Sequence, residues 1–179
     1  PRIPLLLILL LLISGPAAAR TVTDAMGRVQ DIPDTVEGVI CSGSGCLRLL
    51  TYLRAQDLAV AVDDIEAKAN RFDARPYALA NPHFKAMPIF GQFRGQDNPE
   101  LILTLEPQPQ VIFKTFAAMG HDPVELQAKT GLPVVVLDAG NLGAARDSFY
   151  ASLRLMGTVV GKADRAERLV AYFDALIAD

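Results

Sequence analysis

The sequence holds only two cysteines and two histidines among its 179 residues. A structural zinc site needs four ligands held close together. Cys41 and Cys46 have four residues between them, at the edge of known ligand spacing, and His83 and His121 lie far away in the chain. Metal ligation by this pair is not expected. No run of Lys or Arg accompanies the formal charge of -3 and the pI near 5.4, so no electrostatic footprint for nucleic acid or an anionic bilayer is present. Around Ser44 the residues read Ser42-Gly43-Ser44-Gly45-Cys46, without the outer glycines of a nucleophile elbow, and no Lys-Ser/Thr pair marks a P-loop. No base and nucleophile share a motif, and no two carboxylates are placed for acid-base work, which leaves a catalytic reading without support. A small or mid-sized ligand is the class that remains.

Apolar residues, by contrast, are plentiful. At 51% hydrophobic and 21% charged, the chain can bury the core of one ordinary domain, or of one domain with an unfinished second. After Arg2 comes the apolar run "IPLLLILLLLIS", then Gly15-Pro16 and the small residues Ala17 to Ala19. The run is about half the roughly 20 residues a spanning helix needs and ends in processing signals, so residues 1–19 read as a signal peptide cleaved after Ala19. The mature chain is expected to be periplasmic and not membrane-spanning. Because the first cysteine is Cys41, a lipid anchor near the cleavage point is not expected. The missing initiator Met suggests an incomplete reading frame.

Beyond the cleavage point, short β-branched runs alternate with longer segments of helical period, the mark of a parallel α/β sheet. Strands are expected at Val36–Cys41, Leu58–Val62, Met87–Phe90, Gln110–Lys114 and Pro133–Asp138, and an N-terminal hairpin turning at Met26-Gly27 precedes them. Helices are expected in "CLRLLTYLR", in "PELILTL" with Pro99 and Glu100 at its start, and in "DPVELQAKTG" with Asp122 as cap, Pro123 in the first turn and Gly131 as stop. From Leu142 onward the rhythm is helical only. The last helix, with Ala166, Leu169, Val170, Phe173, Leu176 and Ile177 at helical spacing, reaches Asp179 without a stop signal, which reads as the front part of something larger.

Two readings of the stretch "CSGSGCLRLL" stay open. Glycines between a parallel strand and its helix let the backbone approach a ligand at the carboxyl ends of the strands, or they serve a tight turn and nothing else. Cys41 and Cys46 could join in an oxidising compartment if their Cα atoms come within about 7 Å; reduced packing as small apolar residues is preferred.

A longer stretch carries a resemblance. "RTVTDAMGRVQDIP", "PIFGQF" followed by "NPELILTLEPQPQVIF", "TGLPVVVLD" and "LRLMGTVVGKADRAERLVAYFDAL" occur in the order of motifs found in the periplasmic substrate-binding proteins of ABC importers, the helical-backbone class that carries iron-siderophore, haem and cobalamin complexes. The chain resembles that family through nearly all of its mature length. The resemblance implies two α/β lobes joined by a long helix, with residues 20–142 as the N-terminal lobe, residues 143–179 leading into the interlobe bridge, and the second lobe missing. One departure is Pro109-Gln110, where the family has Pro-Asp. The implied role is capture of an iron(III)-siderophore or related metal complex, haem or cobalamin included, for delivery to a permease subunit. The protein would act as a monomer with no resident cofactor, the metal complex being cargo. Glu100 matches the surface glutamate that docks on an arginine pocket of the permease; an exposed carboxylate at a helix start also stabilises the helix without any partner.

Open parallel sheets bind at the edge where the strands end, which nominates Ser42, Gly43 and Ser44, then Gln92, Phe93 and Arg94, then Lys114, Thr115 and Phe116 as ligand wall. Aromatic and cationic groups together suit a large planar or anionic complex. Tyr77, with Arg75 and His83 on the Pro-bounded segment "ARPYALANPHF", is a further candidate; a lone His is more often a surface residue than a ligand. An exported α/β enzyme and a cell-envelope binding module unrelated to transport are the alternatives.

Overall fold

The structure, a computed structural model, describes residues 19–68 and 74–178; except for Ala19, the expected signal peptide lies outside them. The chain opens with the antiparallel hairpin β1 (Ala19–Thr23) and β2 (Val29–Pro33). Asp24 shapes its turn. One carboxylate oxygen accepts from the backbone N–H of Met26 at 2.9 Å and of Arg28 at 3.0 Å, and the other takes the Arg28 guanidinium at 2.6 and 2.9 Å. Arg28 Nη2 also donates to the Val134 carbonyl at 2.7 Å, so a local ion pair fastens the hairpin to the main sheet.

That sheet has six strands: β3 (Val39–Ser42), β4 (Ala59–Asp63), β5 (Ile89–Gln92), β6 (Gln96–Asp97), β7 (Val111–Thr115) and β8 (Val134–Leu137), in the order β6-β5-β4-β3-β7-β8. Every neighbouring pair is parallel except the tight hairpin β5-β6. The expected strands are present with shifted edges. Pro88 has no N–H to give a ladder, so β5 begins after it rather than at Met87. The two-residue β6 is too short for any period to announce it.

The helices are α1 (Cys46–Tyr52), α2 (Asp64–Ala67), α3 (Pro76–Ala80), α4 (Pro99–Leu103), α5 (Pro123–Thr130), α6 (Arg146–Val159) and α7 (Ala163–Ala178). They cover both faces of the sheet, which explains why β3, β7 and β8 are buried at every position. Alternation along each strand sorts the side chains. Val39 and Cys41 of β3, Val111 and Phe113 of β7, and Val135 and Leu137 of β8 share one core with Leu49 and Leu50 of α1, Leu153 and Met156 of α6, and Leu169 and Val170 of α7. Ile40, Ile112 and Val134 face the other way, against Ile102 of α4 and Leu126 of α5.

The expected helix boundaries near α5 are found: the Asp122 side chain accepts from the N–H groups of Val124 and Glu125, both at 2.9 Å, and Gly131 ends the helix at φ 68°. In α4 the cap is Asn98, whose side-chain oxygen accepts from Glu100 N–H at 3.0 Å and Leu101 N–H at 3.1 Å. Helix α7 buries Ala166, Leu169 and Val170 but leaves Tyr172, Leu176 and Ile177 exposed.

Candidate functional site

Parallel strands all deliver their carboxyl ends, and the loops that follow, to one edge of the sheet. At that edge lies a cavity of about 410 Å³. After β3 it is lined by Gly43, Ser44 and Gly45, together with Leu47 and Arg48 of α1; at the end of β4 by Asp63 and after it by Ile65 and Glu66; after β5 by Phe93; after β7 by Phe116; after β8 by Ala139 and Gly140. Arg75 and Tyr77, from the start of α3, complete the wall.

The glycine turn is shaped by its neighbour strand. Gly43 has φ 88°, and a Cβ there would stand 2.6 Å from Thr115 Oγ1, so only glycine fits both the dihedral and the space. The Thr115 hydroxyl donates to the Ser44 carbonyl at 3.1 Å and lies 3.4 Å from that of Ser42, stitching the turn to the end of β7. Below the turn the two thiols, Cys41 and Cys46, are free and buried; burial pushes the Cys46 thiol up, and Cys41 beside it adds to the shift.

The corner at the end of β4 is acidic, with Asp63, Asp64 and Glu66 within four positions. Glu66 is buried, and its Oε1 accepts from Arg75 Nη1 at 2.8 Å and from the Tyr77 hydroxyl at 2.6 Å. Burial, and then the Glu66 carboxylate, hold the Tyr77 phenol above its ordinary value. Asp63 is only 6% exposed, and its Oδ1 has no hydrogen-bond partner among the described residues. Burial pushes its carboxyl up to about 7, Glu66 and Asp64 push the same way, and backbone N–H groups of Glu66 and Ile65 pull back. Asp64 sits below the usual carboxylate range, chiefly because it accepts from Lys68.

Of the residues nominated from the sequence, Gly43, Ser44, Tyr77, Phe93 and Phe116 line the cavity, and the two phenylalanines are exposed at 37% and 43%. The others correct the nomination. Lys114 and Ser42 are fully buried: alternation sends the Lys114 side chain away from the cavity, where Nζ donates to Asp97 Oδ2 at 2.6 Å, Gly95 O at 3.1 Å and Ser42 Oγ at 3.2 Å. Thr115 is buried as the stitch just described. Arg94 lies outside the lining, its guanidinium carbon 5.6 Å from the Phe93 ring centre. Gln92 opens instead on a neighbouring groove of about 930 Å³, which it shares with Asp64, Ile89, Glu100, Leu101 and Leu103. His83 is exposed with its ring against Phe84. Arg48, Asp63 and Glu66 were not anticipated. The strand-end rule reaches Asp63 and Glu66 as directly as Phe93, since "DDIE" follows the apolar run of β4; Arg48 lies a turn inside α1 and carries no such signal.

Among the described residues, no group of three or more His, Cys, Asp or Glu could hold a metal ion, and no helix is long and apolar enough to cross a membrane.

No protein-family model and no curated protein matches the chain. Solved structures do. The molybdate periplasmic binding protein MolA of a Haemophilus influenzae ABC transporter superposes with a TM-score of 0.67 at 21% identity, covering 84% of this chain and 49% of that one. A periplasmic solute binding protein from Veillonella parvula gives 0.72 at 16% identity, covering 90% and 46%. The petrobactin-binding protein YclQ from Bacillus subtilis gives 0.66 at 17% identity, covering 90% and 52%. The chain therefore spans about half the length of these structures and shares the fold of one of their lobes.

Proposed function

We propose that this chain, which has the fold of a single lobe of the periplasmic solute-binding proteins of ABC transporters, is the N-terminal lobe of a substrate-binding component that captures an iron(III)-siderophore or related metal complex in the periplasm and delivers it to a membrane permease. The observation that carries this reading is the convergence of the loops after all five parallel strands on one open cavity rimmed by the exposed rings of Phe93 and Phe116. Its volume of about 410 Å³ suits one wall of a cleft that a second lobe would close. Exposed aromatic faces there offer stacking to a large, partly planar cargo. Export follows from the apolar N-terminal run and its small-residue end.

Delivery needs a contact with the permease, and Glu100 supplies it. The residue is exposed at the start of α4, beside a groove that also presents Ile89, Leu101 and Leu103. Its carboxylate offers bidentate geometry to an arginine on the partner. Residues 143–179, whose last helix leaves Tyr172, Leu176 and Ile177 exposed, lead into the bridge between lobes. The neighbours in structure are binding proteins, which favours capture without turnover.

The test is a thermal-unfolding titration of the ligand-free, full-length protein with a ferric siderophore, haemin and a corrinoid. A true cargo at a hundred times its dissociation constant stabilises the fold by about 2.7 kcal/mol. Absence of any shift, together with absence of a bound chromophore in protein purified from its native host, overturns the proposal; chemical turnover of the complex points to the enzyme instead.

A further inference from the structure

We infer that the cargo presents a cationic or hydrogen-bond-donating group to Asp63, so that this corner of the cavity selects amphoteric complexes over bare oxyanions. The inference rests on the reading of the cavity as a capture site and adds the chemistry of what is captured.

Three carboxylates stand within four positions, Asp63, Asp64 and Glu66, and two cations, Lys68 and Arg75, are engaged by Asp64 and Glu66. Lys68 Nζ contacts Asp64 Oδ2 at 2.5 Å, and Arg75 contacts Glu66 at 2.8 Å while its guanidinium lies 5.6 Å from the Tyr77 ring centre. Asp63 is the carboxyl in this group with no ion pair among the described residues. It is more than nine-tenths buried, lines the cavity, and keeps Oδ1 without a hydrogen-bond partner among the described residues. A buried acceptor in that state gains most from a donor that arrives with a ligand.

The charged and titratable groups that act on Asp63 electrostatically are Asp64 and Glu66 on α2 and the Cys46 thiol below the glycine turn, and Arg75 and Tyr77 at the start of α3 and Arg48 on α1 share its cavity wall. The two acids next to it repel a second negative charge. A bare oxyanion brings acceptors only, so it leaves Oδ1 unsatisfied and adds to that repulsion. An ammonium, a guanidinium or a protonated hydroxyl on the cargo satisfies it. Arg48, which also lines the cavity and keeps Nε without a hydrogen-bond partner among the described residues, suits the anionic part of the same complex. Since burial, and then the neighbouring carboxylates, raise the Asp63 carboxyl to about 7 in the empty cavity, the group is only part-protonated at neutral pH, and a cationic group that binds there displaces that fraction of a proton to solvent.

The experiment uses ligand-free, full-length protein and its Asp63→Asn variant. Three probes are titrated calorimetrically at pH 7 in two buffers of different ionisation enthalpy: ferrioxamine B, a ferric trihydroxamate with a free ammonium; its N-acetylated twin, which lacks that charge; and molybdate. The expected result is that ferrioxamine B binds the wild type roughly 10- to 100-fold more tightly than its twin and releases a fraction of a proton. In Asp63→Asn the preference and the proton release both disappear, and molybdate binds the wild type more weakly than either hydroxamate. Equal binding of the two hydroxamates by the wild type, or molybdate as the tightest probe, overturns the inference and leaves the capture reading standing. Binding of none of the three also overturns the inference, and the capture reading is then decided separately by the haemin and corrinoid titrations and the native chromophore.

Discussion

Lys114 Nζ lies 2.6 Å from Asp97 Oδ2, and neither side chain has any solvent exposure. The pair joins the end of β7 to the β5-β6 hairpin, and the same ammonium reaches Ser42 at the end of β3 and the carbonyl of Gly95. One cation thus ties together the backs of three loops whose fronts form the cavity wall. Breaking such a pair from one side leaves a buried charge uncompensated. Lys114→Met is expected to destabilise the fold by about 3–5 kcal/mol, and the double variant Lys114→Met/Asp97→Leu to recover much of that loss. Urea unfolding of both proteins checks it; an unchanged midpoint in the single variant would mean that the pair contributes nothing.

Asp63 gives stability a defined dependence on pH. Its carboxyl stands at about 7 in the fold against an ordinary 3.8, so between those values the folded state holds a proton that the unfolded chain releases. Stability contributed by the protonated carboxyl is whole below about pH 4 and is lost as pH rises through 7, by on the order of 4 kcal/mol at most. Asp63→Asn should flatten that part of the profile and unfold at a higher temperature than the wild type at pH 8. Parallel profiles for the two proteins between pH 4 and 8 would contradict the assignment.

The glycine turn tolerates no side chain at its first position. With φ at 88° and Thr115 Oγ1 and O at 2.6 and 2.8 Å from a Cβ, Gly43→Ala must move the turn or the end of β7. A loss of roughly 1–3 kcal/mol is expected. Gly131→Ala is the control, since it shares a positive φ of 68° but meets nothing within 4 Å; it should lose about 1 kcal/mol. Equal losses at the two positions would show that the dihedral alone matters.

Glu100 is exposed and its neighbours do not need its carboxylate, because Asn98 already caps α4. Glu100→Ala should leave ligand affinity unchanged, shift unfolding by less than about 1 kcal/mol, and weaken binding to the permease reconstituted in nanodiscs by tenfold or more, as expected for loss of a charge-assisted pair. Unaltered binding to the permease would remove Glu100 from the docking surface.

How much of this was legible beforehand varies from residue to residue. Asp122 and Gly131 were readable as helix punctuation because a cap acts on N–H groups two or three positions away. Phe93 and Phe116 were reachable because a strand end followed by an aromatic is a local pattern. Lys114 was not: the same rule that nominated Phe116 nominated it, yet its partners Ser42 and Asp97 lie 72 and 17 positions away. The register of β7 beside β3 sets Lys114 against Ser42, and the β5-β6 hairpin, three strands away in the sheet, supplies Asp97. Asp63 was within reach of the strand-end rule, but that its Oδ1 has no hydrogen-bond partner among the described residues shows only once every neighbour is in place.

By itself, then, the sequence determined the alternation of strand and helix, the turns that glycine permits, and the edge of the sheet to which the loops are sent, since each of these depends on neighbours a few residues apart. Tertiary structure alone decided which polar side chains face the cavity and which are locked behind it, because burial and pairing are properties of groups that meet only after distant strands have taken their places in the sheet.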